Sequence, residues 1–176
     1  MKKRLFISIN PPEEVKKTLS LVKNNLSELS AKWVEKSNIH MTLLFIGYAD
    51  DDKINEIKVD LKRVVKDIKP FEIEVEKISY APPGLFPPKM IWAEIARSEA
   101  LNQLGEKIGN KDFLPHITLA RINTWQFVKI EPEEIPIINL EEILSFTVRS
   151  VELMESKVSR GNVKYELLEK FELNKK

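Results

Sequence analysis

The chain has 176 residues, of which 43% are hydrophobic and 31% charged, a composition typical of a globular protein with one domain or two small lobes. Its 28 basic residues are balanced by 27 acidic ones, so no overall positive field marks a nucleic-acid-binding protein, and any basic surface must be local. The absence of cysteine excludes disulfides, thiol nucleophiles and thiolate metal sites. No apolar run reaches the roughly 20 residues of a membrane span, and no signal-peptide core follows the start, so we expect a cytoplasmic protein without membrane contact.

The first elements in chain order are a strand, a helix and a second strand. The apolar run over residues 4–9 predicts the strand, and Pro12 suits the first turn of the helix that follows. Apolar residues then recur at spacings of four and three over residues 15–29, which indicates one buried helical face. The second strand covers residues 39–46, and Gly47 ends it.

A second helix and a third strand complete the first half. Asp50 offers an N-cap for the helix, whose apolar face runs over residues 54–68 and which Pro70 ends. Residues 71–76 alternate strictly between apolar residues and glutamate, as expected of a half-buried strand with an acidic outer face.

The second half repeats this order in shortened form. A strand at residues 90–95 precedes a helix capped by Ser98, and another strand follows that helix. A short helix is possible near residues 140–144, and a strand pattern returns at 146–155. The turn signal at residues 159–162 then predicts a hairpin.

One four-residue pattern, His-x-Thr-Leu, occurs once in each half and contains both histidines of the chain, His40 and His116. Side chains alternate between the faces of a strand, so His40 and Thr42 share one face, and His116 and Thr118 do the same. The repeat indicates a duplicated unit with a cleft between its copies, where the histidines meet. The alternative is a pair of ordinary strand histidines that hydrogen-bond to their neighbours.

Two imidazoles with pKa values near ~6.5 can divide the roles of general base and general acid near neutral pH. In-line attack on phosphorus needs that division, with the nucleophile on one side and the leaving oxygen on the other. Thr42 and Thr118 can donate to the non-bridging oxygens. Zinc needs three or four protein ligands, and threonine stands where a carboxylate would be expected, so we expect no metal. Neither a Gly-x-Ser-x-Gly elbow nor a Gly-x-x-x-x-Gly-Lys phosphate loop occurs.

These motifs resemble the two-histidine phosphoesterases, and within them the RNA 2′,3′-cyclic phosphodiesterases, also called 2′-5′ RNA ligases or the LigT-like group. The resemblance runs over nearly the whole chain. The segments that carry it are Arg4-Leu-Phe-Ile-Ser-Ile, Asn38-Ile-His-Met-Thr-Leu-Leu-Phe-Ile-Gly, Pro115-His-Ile-Thr-Leu-Ala-Arg, Leu153-Met-Glu-Ser-Lys-Val and Gly161-Asn-Val-Lys-Tyr.

We therefore expect an α+β protein of two pseudo-symmetric lobes, built from a duplicated β-α-β-α-β unit with mostly antiparallel sheets lining a central cleft. Residues 1–176 form a single LigT-like domain in this interpretation. Its lobes are intertwined and correspond approximately to the sequence halves 1–80 and 81–176.

The resemblance also implies roles for individual residues. His40 would be the acid at the departing 3′ oxygen, and His116 the base that activates water. Thr42, Thr118 and Arg121 would hold the phosphate, without a metal. Strict alternation places Arg121 on the face opposite His116, so its role requires the strand to end or bulge there; otherwise it is a surface arginine.

The resulting expectation is a metal-independent, monomeric phosphodiesterase without a cofactor. It would open terminal 2′,3′-cyclic phosphates of RNA to 2′-phosphates, with RNA ends or cyclic nucleotides as substrates. The alternatives are 2′-5′ ligation of RNA halves and an RNA-end-binding module whose histidines only bind. Paired histidines favour the enzyme, because Arg or Lys would serve pure phosphate binding better.

Further candidates for substrate contact each have an ordinary structural alternative. Four aromatic residues could stack a nucleobase or belong to the core. Lys89 could contact a phosphate or be a solvated surface lysine. The four aromatic residues are Tyr80, Phe86, Trp92 and Trp125.

Overall fold

The computed structural model describes residues 2–140, 143–159 and 162–174. Within these residues, nine strands form one curled sheet, and four α-helices accompany it. The elements are β1 (Lys3–Ile9), α1 (Glu13–Leu21), β2 (Ala31–Trp33), β3 (Met41–Ala49), α2 (Asp51–Val65), β4 (Phe71–Ala81), β5 (Met90–Ile95), α3 (Glu99–Lys107), β6 (His116–Ile122), α4 (Thr124–Phe127), β7 (Leu144–Val148), β8 (Ser150–Ser159) and β9 (Asn162–Glu172).

The strands lie in the order β7-β4-β5-β6-β3-β1-β8-β9, and β2 pairs separately with β6. All of these pairings are antiparallel. The sheet therefore has two four-stranded halves, β3-β1-β8-β9 and β6-β5-β4-β7, whose innermost strands carry the two His-x-Thr motifs. The predicted α+β class, with two similar halves and antiparallel pairing around a central cleft, is confirmed.

The chain crosses between the two halves of the sheet. Strand β4 lies in the half that contains β6, and the hairpin β8–β9 returns to pair with β1 in the other half. The division into sequence halves at residue 80 stays a prediction. The crossing matters for the site, because the last strands of the chain are placed beside the first histidine.

The helices begin where their capping residues predict. The side chain of Asp50 accepts a hydrogen bond from the Lys53 N–H at the start of α2, and Ser98 accepts one from the Leu101 N–H at the start of α3. Their apolar faces are buried in the core, as expected from their spacing. No helix in the described ranges is long and apolar enough to cross a membrane.

Some elements differ from the expectation. The predicted first helix continues beyond α1 only as a 3₁₀ turn over Val22–Leu26, a segment that contains two asparagines, which have low helix propensity. Leu144 begins strand β7, while residues 141 and 142 of the predicted short helix lie outside the described residues. The predicted hairpin is confirmed by the pairing of β8 with β9. Its turn residues 160 and 161 lie outside the described residues.

Candidate active site

The two His-x-Thr motifs lie side by side where β3 and β6 meet. The two strands pair at Met41 and Ile117, both of which are completely buried on the core side of the sheet. In an antiparallel pair this register places each histidine opposite the threonine of the other motif. Two imidazoles and two hydroxyls therefore share one face of the sheet, as the alternation predicted.

Each imidazole is held by the main chain in the same way. The Nδ1 atom of His40 lies 2.7 Å from the carbonyl oxygen of Asn38, and that of His116 lies 2.8 Å from the carbonyl oxygen of Leu114. Because a carbonyl only accepts, these bonds place the proton on Nδ1. The Nε2 atom is then the ring nitrogen that can accept a proton.

His40 is packed between aromatic rings. Its ring centroid lies 4.9 Å from that of Phe6 and 4.9 Å from that of Tyr165, whose ring meets it edge-on at 81°. Its Nε2 atom lies 3.0 Å from the Thr42 hydroxyl oxygen. Since Tyr165 belongs to β9, the C-terminal hairpin helps to orient the first histidine.

His116 has a different neighbourhood. Its ring stacks on the indole of Trp92, with centroids 3.7 Å apart and planes inclined by 16°. The carboxylate-bearing residue opposite it on β5 is Glu94. Trp92 is thus part of the site as a support for the imidazole.

The electrostatic surroundings of the two histidines also differ. Burial lowers the pKa of both, and the backbone carbonyl at each Nδ1 opposes that effect. The positive charge of Lys16 lowers the pKa of His40 further, as does charge on His116. The negative charge of Glu94 instead raises the pKa of His116, although burial outweighs it.

Arg121 reaches the cleft because β6 contains a bulge. The register with β5 skips one residue between Thr118 and Ala120, which leaves Leu119 without a partner on β5. Leu119 and Ala120 are both buried, at 2% and 0% exposure, so the alternation shifts by one position. Arg121 therefore returns to the face of His116, which meets the condition set by the sequence.

Strand β3 contains the matching bulge. Leu43 has no partner on β1, and the shifted alternation brings Phe45 out on the cleft side with 72% of its surface exposed. Counting from each histidine, Phe45 occupies the position that Arg121 occupies in the second motif. One side of the pseudo-symmetric site thus offers an aromatic face, and the other a cation.

These residues surround a cleft of about 230 Å³. His116 is not among its lining residues and stands next to it, opposite Thr42. The cleft is lined by Arg4, Leu5, Phe6, Val34, Asn38, His40, Thr42, Phe45, Thr118, Arg121, Ser156, Val163 and Tyr165. The structure thus gathers all five residues singled out from the sequence, four in the cleft and His116 beside it.

The remaining candidates from the sequence divide between core and surface. Trp92 is buried, and half-buried Tyr80 donates its hydroxyl to the carbonyl of Pro136 at 3.0 Å. Phe86 and Trp125 are 71% and 81% exposed. Lys89 is also exposed. Of this group, only Trp92 contacts a histidine.

Sequence reasoning missed several residues of the cleft. Strand alternation from Phe6 would have found Arg4 on the same face of β1, but nothing local connects Tyr165 with His40. Within the described ranges, no three His, Cys, Asp or Glu side chains are grouped closely enough to hold a metal ion.

The comparisons with known proteins find relatives in sequence and in fold. A family profile described as LigT like Phosphoesterase matches residues 9–92. The RNA 2′,3′-cyclic phosphodiesterase of Thermotoga maritima is 33% identical over 131 residues, which cover 68% of this chain and 70% of that protein. The enzyme of the same name from Methanocaldococcus jannaschii is 25% identical over 178 residues, covering 96% and 99%. A crystal structure of a Thermus thermophilus protein, 25% identical, covers 98% of both chains with a TM-score of 0.81.

Asn38 connects His40 to the C-terminal hairpin. Its carbonyl accepts from His40, and its side-chain Nδ2 donates to the carbonyl of Val163 on β9 at 2.9 Å. In Asn38→Ala we expect the hairpin to loosen and the pKa of His40 to rise, because burial is the main cause of its lowered value. The pKa of His116 should change much less, and only through its coupling to His40. NMR titration resolves this, since the chain has only two histidines.

The matched control is Asn110→Ala, which removes a 2.7 Å hydrogen bond from Asn110 Nδ2 to the Leu43 carbonyl on the same histidine strand. It should shift neither pKa. Equal shifts of both histidines in Asn38→Ala, or none at all, would contradict the positioning role.

Proposed function

We propose that this chain, which belongs to the LigT-like phosphoesterase family as its motifs predicted, hydrolyses 2′,3′-cyclic phosphates at RNA ends to 2′-phosphates. The main support is that two imidazoles, each with its proton held on Nδ1 by a backbone carbonyl, lie on one face of the sheet beside a cleft lined by two threonines and two arginines. The names of the relatives from Thermotoga maritima and Methanocaldococcus jannaschii support the same substrate class.

The reaction is a single in-line displacement at phosphorus. Nε2 of His116 takes a proton from water as the water oxygen forms its bond to phosphorus. The bond from phosphorus to the 3′ oxygen breaks, and Nε2 of His40 donates a proton to that oxygen. The two histidines end with their protonation states exchanged, and proton exchange with solvent restores them.

The phosphate is held by neutral and charged donors. The hydroxyls of Thr42 and Thr118 donate to the non-bridging oxygens, where negative charge concentrates in the transition state. Arg121 adds a guanidinium whose paired donors match a phosphate. Its arrival on this face through the bulge in β6 supports that role.

The reaction is metal-independent in this proposal. Imidazolium, guanidinium and hydroxyl donors supply the positive potential that a divalent cation provides in metal-dependent phosphodiesterases. What supports this is the donor set, because threonine rather than a carboxylate accompanies each histidine. Arg121 supplies the charge that binding one phosphate monoanion needs.

The test is hydrolysis of end-labelled RNA with a terminal 2′,3′-cyclic phosphate in the presence of EDTA. The wild-type protein should release the 2′-phosphate. His40→Ala and His116→Ala should each be slower by roughly a hundredfold to ten-thousandfold, the usual contribution of a general acid or base. Circular dichroism checks that both variants fold.

Activity that EDTA abolishes and a divalent metal restores would contradict the metal-independent mechanism. Tight binding of the RNA end without turnover would instead identify a binding module. Near-wild-type rates in either folded histidine variant would remove that residue from the mechanism.

The pH dependence follows from the lowered pKa values of His40 and His116, which burial holds below the usual value near ~6.5. Only a singly protonated pair reacts, so kcat/KM should be bell-shaped with its optimum on the acidic side of about 6.5. A bound phosphate anion favours imidazolium, so the limbs of kcat should lie at higher pH than those of kcat/KM. An optimum of kcat/KM well above pH ~7 would contradict this account.

A further inference from the structure

A second arginine lines the cleft beside the histidines. Arg4 lies two positions before Phe6 on β1, on the same face of the strand, and both line the cleft. The pairing of Leu5 with Glu155 places Arg4 opposite Ser156 on β8, and Ser156 pairs with Tyr165 on β9. A guanidinium and two hydroxyls therefore form one row across the curled half of the sheet.

The cleft has more positive charge than the reacting group requires. Its described lining contains Arg4 and Arg121 but no Asp or Glu. Among the described residues, neither arginine forms a salt bridge with a carboxylate. A 2′,3′-cyclic phosphate is a diester with a single negative charge, which Arg121 alone can neutralise. The cyclic phosphate therefore does not require the positive charge of Arg4, which could bind a second anionic group of the substrate.

The positive charges of Arg4 and Arg121 both affect Tyr165, which lines the same cleft. Burial raises the pKa of Tyr165, and the positive charges of Arg121 and Arg4 both oppose that rise. Each guanidinium therefore lies within electrostatic range of the Tyr165 hydroxyl, whose ring contacts His40. Both arginines and Tyr165 line the same cleft, so Arg4 lies on the same side of the sheet as the proposed phosphate-binding Arg121.

We propose that Arg4 binds the phosphate on the 5′ side of the terminal nucleotide, so that the cleft selects RNA chain ends over nucleoside cyclic phosphates. This rests on the proposed function. A guanidinium suits the task because its donors match the oxygens of a phosphate, and every internal nucleotide of RNA supplies one such group. Ser156 and Tyr165 add hydroxyl donors in the same row.

The experiment compares three substrates: adenosine 2′,3′-cyclic phosphate, the same nucleotide with a 5′-phosphate, and the dinucleotide ApA ending in a 2′,3′-cyclic phosphate. In Arg4→Gln, kcat/KM should fall roughly ten- to a hundredfold for the last two, mainly through KM, as for loss of a charge-assisted hydrogen bond. For the first substrate it should change less than about twofold. Higher salt should weaken the wild-type preference for ApA.

The matched control is Lys3→Gln. It removes the same charge from the neighbouring residue, which pairs with Glu155 at 3.9 Å and does not line the cleft. All three substrates should respond to it equally and weakly. A loss confined to Arg4→Gln is thereby separated from an effect of net charge.

An equal loss on all three substrates would overturn the proposal, because Arg4 would then act on the reacting phosphate. So would a loss on none of them, or a loss on ApA alone, which would indicate contact with the upstream nucleoside. If the wild-type protein turns over none of the three, the proposed function is wrong. The Arg4 site is then decided by calorimetric binding of ApA 2′-phosphate against adenosine 2′-phosphate, where Arg4→Gln must weaken only the former.

Discussion

The site depends on one hydrogen bond that occurs twice, from the Nδ1 of each histidine to the carbonyl two residues before it. It fixes the tautomer, because a carbonyl can only accept, and leaves each Nε2 atom to exchange protons. The pairing of β3 with β6 at Met41 and Ile117 then brings two identically held imidazoles to one face of the sheet. Matching bulges after each threonine add Arg121 on one side and Phe45 on the other.

The two histidines are held alike, but the charged residues around them differ. Lys16 disfavours charge on His40, whereas Glu94 favours charge on His116. The proposed roles need the proton on His40 when substrate is bound. A bound phosphate raises the pKa of both imidazoles, because it adds negative charge beside them, and such coupled groups titrate as a pair. The pH profile therefore reports the pKa values of the pair and does not assign them to one histidine. A substrate with a better leaving group is needed to identify which histidine is the acid.

Local features of the sequence predicted much of this arrangement. Alternation placed each histidine and threonine on one face, and the capping residues Asp50 and Ser98 located two helices. The sequence could place Arg121 on the face of His116 only if β6 ends or bulges before it. Whether it bulges depends on how β6 pairs with β5, which the sequence does not show locally. The contact of Tyr165 with His40 was not predictable, since it needs the C-terminal hairpin to pair with β1 and the sheet to curl. Long-range pairing of this kind leaves no periodic signal near either residue.

The division of labour between the two histidines can be tested with a substrate whose leaving group needs no general acid. In 3′-deoxyadenosine 2′-(4-nitrophenyl phosphate), a stabilised phenolate leaves instead of the 3′ oxygen. We predict that His40→Ala hydrolyses this compound at nearly the wild-type rate, whereas His116→Ala stays slower by roughly a hundredfold or more. Equal rescue of both variants, or rescue of His116→Ala alone, would contradict the assignment of His40 as acid and His116 as base.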